Sequence, residues 1–450
     1  MRLLVRTQMR KTRLLTVLIF VFSVFAVFAA SNGLTVPESA KLRSGLIESW
    51  FELPVDLLRD KPAEVFTNEA GELFQVRAEI YDDSCAIIIA PQKTEKVESY
   101  SDAGVNYIFQ TTYPYGAPGC WVLFRDLNKG KPLGIRYFFA GDFQVFVQFK
   151  PGILNAKDKS AADFVIFDTV IAENVPIGLP LKRFYSMSFS DMKKFTEKNL
   201  PWKMTSFLYE NYLDKLQMVE IIRENLPRFV FEEDAAYDEK GNPVYIKDGS
   251  PRSAGSDYIT VSSPGFVKWI IDGLLIPFSG NGVRMEPLLE RTEEFRSGGL
   301  SANMADQYYT TIALDWIRNL ATATVSVSGN RNYTYETSGV EVNNYNFADF
   351  YIKKAGYRIE KLKSLLYLLA CAEPDYFYLG ALRQPVKNEN EFVVWNECAA
   401  FFPYFNRQGQ FSVAVFENGR EIKLEEYIRD NQNKFIQLTR VRASNQFFPR

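Results

Sequence analysis

Apolar and aromatic residues recur in short, closely spaced runs between Ser44 and Val170. Phe74 to Ile80, Ala86 to Ala90, Asn106 to Thr112, Trp121 to Asp126, Ile135 to Phe139 and Phe143 to Phe149 are dense in Val, Ile, Phe and Tyr. Turn residues separate them, Asn128-Lys129-Gly130 and Ala140-Gly141-Asp142 among them, so each run is predicted to be a strand. In the last run Phe143, Val145, Val147 and Phe149 alternate with Gln144, Phe146, Gln148 and Lys150, as in a sheet with one wetter face. No helical periodicity intervenes, so the strands are expected to form an antiparallel sandwich or barrel.

The period then changes. Ser190 to Lys198 is predicted to be a short helix capped by Ser190. Ser206 to Leu226 spaces Leu208, Tyr212, Leu216, Val219, Ile222 and Leu226 as one helical face, and Pro227 ends it. Beyond Asp234 the turn Asp238 to Asn242 leads into the short run Pro243 to Ile246. Gly265 to Leu275, Ala305 to Ala321 and Ile359 to Ala372 follow as helices, and Gly329 to Asn344 as a polar loop. Strands are expected at Tyr376 to Leu382, Glu391 to Phe402, Gln410 to Phe416 and Lys434 to Val441, with turns at Asn406 to Gly409 and Glu417 to Gly419. The predicted fold class is α+β. An N-terminal antiparallel β-rich domain (31–185) is followed by a helical connector (186–233). A C-terminal α+β domain (234–450) carries a helical and loop insertion around 278–357.

Residues 1–30 stand apart. Arg2, Arg6, Arg10, Lys11 and Arg13 precede an apolar stretch from Leu14 to Phe28 and the small residues Ala29, Ala30 and Ser31. That order reads as a signal peptide cleaved near Ala29 to Ser31, with an uncleaved anchor as the alternative. Export to the periplasm or the exterior is therefore expected, with no transmembrane segment in the mature chain. The chain has 52 Lys+Arg against 54 Asp+Glu, and removing the five leader cations takes the formal charge from −2 to −7. A mildly acidic mature protein has no electrostatic footprint for nucleic acid.

The chain contains no histidine. This excludes Ser-His-Asp and Cys-His catalysis and every His-ligated metal site. Its four cysteines form two sequence-local pairs, Cys85 with Cys120 and Cys371 with Cys398, which are disulfide candidates in an oxidising compartment or else buried free thiols. No CxxC, Gly-rich phosphate loop or calcium loop is present, so no metal or cofactor is expected. Ser190-Asp191-Met192-Lys193 has Ser-x-x-Lys spacing, but the Lys-Thr-Gly element that accompanies it in penicillin-recognising enzymes is missing. Tyr107, Tyr113, Tyr115 and Trp121 gather around one turn and would offer a stacking surface if exposed.

The segment Ser262-Ser263-Pro264-Gly265-Phe266-Val267-Lys268-Trp269-Ile270 resembles the Asp-Cys-Ser-Gly-Phe-Val segment of NlpC-like, papain-fold cell-wall peptidases. In that family the cysteine opens a helix whose N-terminus helps hold the thiolate. Tyr245, Gly249 and Gly255 stand where the family carries a tyrosine and a glycine-bearing loop. The strands through Ala399 to Phe402 and Ser412 to Phe416 resemble its small sheet. The resemblance puts Ser262 at the family's aspartate, Ser263 at its nucleophile and Pro264 at its serine. The histidine position falls near Asn396, Glu397 or Cys398.

A serine with no base keeps its proton near neutral pH. The resemblance thus implies a degenerate papain-like domain that keeps a groove without the reaction. Its ligand positions would be Tyr245, Ser263, Glu397 and Glu417, with Ser262 beside them. The function it implies is that of an exported, non-catalytic relative that binds a peptidoglycan fragment or an envelope protein. Two alternatives stand beside it: an envelope adhesin or assembly protein acting through the β domain, and a hydrolase with a non-histidine centre.

Overall fold

In the computed structural model, residues 37–101, 104–113, 121–140, 142–152, 159–253, 258–292, 311–343, 350–386 and 389–450 are described, all within one compact unit, Thr35–Arg450. The leader, Cys120, Tyr115 and Gly255 lie outside the described residues.

Two short helices, α1 (Ala40–Gly45) and α2 (Val55–Arg59), precede the first sheet. Its strands are β1 (Glu64–Thr67), β2 (Leu73–Ile80), β3 (Ser84–Pro91), β6 (Trp121–Asp126), β7 (Pro132–Phe138), β8 (Val145–Pro151), β9 (Ser160–Ile166) and β10 (Thr169–Ile177). They pair antiparallel in that order, which is sequence order. The expected sandwich or barrel is instead a single meandering sheet: among the described residues, β1 and β10 are its open edges. Between β3 and β6 the chain leaves the sheet as a separate hairpin, β4 (Lys93–Ser101) and β5 (Gly104–Thr112).

β3 is apolar at nearly every position because it is an interior strand of the sheet, buried on both faces. One face carries an aromatic core. Trp121 and Tyr137 lie opposite each other in register, and Phe51, Phe149, Phe184 and Tyr185 pack around them. Trp121 is thus wholly buried, which removes it from any exposed stacking surface.

Over this core lies Arg43, a buried guanidinium from α1. It donates to Ser39 Oγ (3.1 Å) and to the carbonyls of Phe184 (3.2 Å), Tyr185 (2.9 Å) and Met187 (2.8 Å). Its carbon sits 5.2 Å from the ring centres of both Trp121 and Tyr137. Five donors in a planar fork suit this many acceptors.

The connector holds α3 (Phe189–Thr196) and α4 (Leu213–Asn225). Ser188, not Ser190, caps α3 by accepting the Asp191 amide at 3.0 Å. Ser190 lies exposed on the helix, and Lys193 sits 5.7 Å from the Trp202 ring centre. Residues Tyr209–Tyr212 tighten into a 3-10 turn, which shortens the long helix expected from Ser206.

The C-terminal part begins with β11 (Phe229–Phe231), β12 (Ala235–Tyr237), β13 (Pro243–Tyr245) and β14 (Ile259–Val261), then α5 (Ser263–Ser279), α6 (Met285–Leu288), α7 (Ile312–Ser328) and α8 (Tyr335–Ser338). Next come β15 (Tyr351–Ile352), β16 (Gly356–Arg358), α9 (Leu362–Ala372), β17 (Tyr376–Val386), β18 (Glu389–Phe405), β19 (Phe411–Glu417), β20 (Arg420–Ile422), α10 (Leu424–Asp430) and β21 (Phe435–Arg442). The second sheet runs β15-β16-β21-β17-β18-β19-β20, and its pairs are antiparallel.

Helices cover both faces of this sheet, so its strands are apolar on alternate and intervening positions alike. Phe377, Leu379, Cys398, Ala400 and Phe416 pack with α4, α5 and α7. Tyr378, Leu382, Ala399, Phe401 and Val415 pack with α9 and α10. Although it falls in the segment read as an insertion, α7 belongs to the core, with Trp316, Ile317 and Leu320 fully buried. The architecture is mixed α+β, built on two large antiparallel sheets.

Candidate functional site

The Ser262-Ser263 corner is where the sequence concentrates its chemistry. Ser262 is the N-cap of α5. Its Oγ accepts the Gly265 amide at 3.4 Å, and both its amide (2.9 Å) and its hydroxyl (3.1 Å) donate to the Ala235 carbonyl. Ser263 opens the helix against β18, and its Oγ accepts the Cys398 amide at 3.1 Å. That amide is available because β19 pairs with β18 only from Ala400 onward.

No cleft separates the two elements. Both serines are buried, and a Cβ on Gly265 would stand 2.1 Å from the Ala235 carbonyl oxygen, so β12 lies directly on the first helical turn. The Cys398 thiol, within 3.7 Å of the Ala313 carbonyl, is likewise buried, and burial raises its pKa well above the ordinary thiol value. A buried serine whose oxygen is committed to a backbone amide has neither a base nor a path for a substrate.

The four residues expected to line one groove occupy separate places. Glu397 and Glu417 lie on the opposite face of the sheet from Ser263, because neighbouring strand residues alternate and it is Cys398 that points at α5. There the two carboxylates feel each other. Burial, then the charge of Glu397, holds the Glu417 carboxyl above its usual range, and Arg420 approaches it at 3.7 Å. Asn396 takes the amide of Gln384 at 2.6 Å. Tyr245 sits on the β12–β13 hairpin opposite Ala235, half exposed, with the Lys247 amine 5.3 Å from its ring centre. A single inherited groove through Tyr245, Ser263, Glu397 and Glu417 is therefore not formed.

Cys85, Cys371 and Cys398 are free thiols. Cys371 lies on α9 beside Tyr212 and Tyr367, whereas Cys398 faces α5 and α7 across the sheet. That layer keeps the second candidate disulfide from closing. Among the described residues no cluster of His, Cys, Asp or Glu has the make-up of a metal site, and no helix is long and apolar enough to cross a membrane.

An opening that does reach solvent lies between the two sheets. It is a cleft of about 420 Å³. Its floor is aromatic: Phe167 packs against Tyr367 and Phe411, with ring centres 5.6 and 5.8 Å apart. Asp142 lines it from the first sheet, and Lys363, Tyr404, Ser412, Lys423 and Glu425 from the second part. Lys363 pairs with Glu425 at 3.0 Å and lies over the Phe167 ring at 4.4 Å. Ser364 Oγ comes within 3.1 and 3.2 Å of the Ile166 and Phe167 carbonyls and 2.8 Å of Thr169 Oγ1, locking α9 to the β9–β10 turn. Sequence reasoning misses this cleft, because no local motif spans segments so far apart in the chain.

One family model, described as a domain of unknown function (DUF8515), matches residues 32–204. No curated protein and no solved structure matches the chain. The matched segment takes in α1, the whole first sheet and α3. It thus contains both ends of the Arg43 clasp and contributes Asp142 and Phe167 to the cleft, while Ser263 lies outside it.

Proposed function

We propose that the protein is an exported, non-catalytic relative of NlpC-like cell-wall peptidases that binds peptidoglycan peptide. The observation that carries this reading is the closed Ser263 corner. A helix opens against a strand of an antiparallel sheet, as the resemblance implies for a papain-like domain, yet Ser263 Oγ serves a structural amide. Nucleophile and base act as a unit in such sites, and a chain without histidine that buries its serine lacks both. Export is supported by the basic and apolar leader pattern of residues 1–30. The binding role is supported by the solvent-open cleft, whose size falls within the ~300–1,000 Å³ usual for ligand sites.

The test is incubation of the purified full chain with soluble muropeptides, followed by mass spectrometry and calorimetry. Binding without any new fragment is expected. Cleavage would overturn the non-catalytic reading, and the absence of binding would overturn the ligand.

A second reading, an envelope adhesin or assembly protein acting through the β domain, is favoured by one feature. Ile108 and Phe109, adjacent on the β4–β5 hairpin, are 51% and 74% exposed, and Phe109 is the most exposed large apolar side chain among the described residues. If Phe109→Asp abolishes attachment to envelope preparations while muropeptide binding is absent, this second reading replaces the first.

A further inference from the structure

We propose that the cleft between the two sheets binds a short peptide carrying both a free amine and a free carboxylate. The inference rests on the binding-protein reading above and adds to it a location and a ligand chemistry. The ionisable side chains of the cleft balance, with Lys363 and Lys423 against Asp142 and Glu425. A balanced site disfavours polyanions and suits a zwitterion.

The four charges are not equivalent. Lys363 and Glu425 satisfy each other at 3.0 Å. Among the described residues Lys423 and Asp142 form no ion pair, although the Lys423 charge also reaches Glu425; Asp142 comes from the β7–β8 loop and Lys423 from the start of α10. Lys423 thus supplies a contact for a carboxylate and Asp142 one for an ammonium, as charge-assisted hydrogen bonds. Between them the Phe167, Tyr367 and Phe411 rings offer an apolar floor for the body of the ligand, while Ser412 and Tyr404 bring hydroxyls for its amides.

A second observation points to the same place. β9 and β10 are joined by only two residues, Phe167 and Asp168, with φ of 46° and 58°. Asparagine and glycine normally fill such a turn, and a phenylalanine there is a strained outlier. The strain is held by the contacts Phe167 makes with Tyr367 and Phe411. Backbone strain of this kind collects at ligand clamps. Gln144 ties this turn to the neighbouring β7–β8 loop, its side chain donating to Asp168 and its amide to Asp142 Oδ1 (2.9 Å), so Asp142 is held in position.

Calorimetry on the full chain with tri-alanine tests the proposal, using the peptide with free termini and the same peptide acetylated and amidated. The free peptide is expected to bind at least tenfold more tightly than the blocked one. Lys423→Glu and Asp142→Asn are each expected to weaken it by about tenfold, the worth of one charge-assisted contact. Lys423→Gln, a milder change at an exposed position, should give an intermediate loss with an unchanged melting curve. Equal binding of free and blocked peptide, or affinity indifferent to Lys423 and Asp142, overturns the proposal. If muropeptides bind but Lys423→Glu leaves that binding intact, the site assignment fails and the function stands. If tri-alanine binds through Lys423 while muropeptides do not, the site stands and the peptidoglycan reading fails. If neither ligand binds, both fail.

Discussion

Ser263 and Lys215 show how a single residue's meaning depends on what surrounds it. In the sequence Ser263 stands at a nucleophile position. In the fold it accepts the Cys398 amide in a dry corner. Ser263→Ala should therefore cost about 1–3 kcal/mol of stability, the penalty for leaving a buried donor unpaired, and urea unfolding would read it directly. Lys215, which the sequence does not mark at all, is fully buried, with its amine donating to the Pro403 carbonyl at 2.7 Å. Burial lowers its pKa to about 7, and Asp375 and Glu373 only partly oppose that. The unfolded chain holds the extra proton above pH 7, so this residue makes stability rise with pH. From about 8.5 the cysteines work the other way, because burial raises the pKa of Cys371 and Cys398 and the unfolded chain loses those protons first. Between pH 7 and about 8.5 the lysine should contribute a rise of about 2 kcal/mol. Lys215→Met should flatten that rise, as seen in paired urea titrations across the window.

At the scale of elements, strand and helix identity follows from local pattern, while boundaries and facing do not. All six runs read as strands between Ser44 and Val170 are strands, five of them in the first sheet and Asn106 to Thr112 in the separate β4–β5 hairpin. β1, β4, β9 and β10 escape notice: β1 is only four residues long, Lys93 to Ser101 carries four charged residues, Ser160-Ala161-Ala162-Asp163 lacks branched residues, and Glu173, Asn174 and Pro176 interrupt β10. The α5 start is legible from Ser262 and Pro264, a cap followed by a proline in the first turn. Its packing is not. Gly265 is where α5 meets β12, and a methyl there would collide with the Ala235 carbonyl, a backbone atom that cannot rotate away. Gly265→Ala should lower stability by about 3 kcal/mol or more, checked by thermal and urea unfolding. The bulge in β18 around Asn396 likewise decides which of Glu397 and Cys398 meets the helix, and a bulge of one residue leaves no pattern to read.

For the whole molecule, the decisive side chain is Arg43. It joins α1 to the segment at Phe184 to Met187 across the aromatic core, so the first and last parts of the matched segment 32–204 are held by one guanidinium. Arg43→Lys keeps the charge but not the planar fork, so one ammonium cannot reach Ser39 and the Phe184, Tyr185 and Met187 carbonyls together, although the Tyr137 hydroxyl remains beside two of those carbonyls. A loss of about 3 kcal/mol is expected, read from paired urea unfolding curves of the variant and the parent chain. Ser364 and Phe167 play the corresponding part between the two sheets, joining α9 and Tyr367 to the β9–β10 turn beside the cleft.

Fold class, most strands and helices, the absence of histidine and the serine at the helix start were all legible in the chain itself. These follow from the period of apolar residues, turn chemistry and composition, which act over a few residues. Tertiary structure alone decided that Ser263 is closed, that Glu397 and Glu417 turn away from it, that Cys371 and Cys398 stay apart, and that Asp142 and Lys423 face one cleft. Each of these depends on register and on which layer a side chain enters, quantities set by packing between segments distant in sequence.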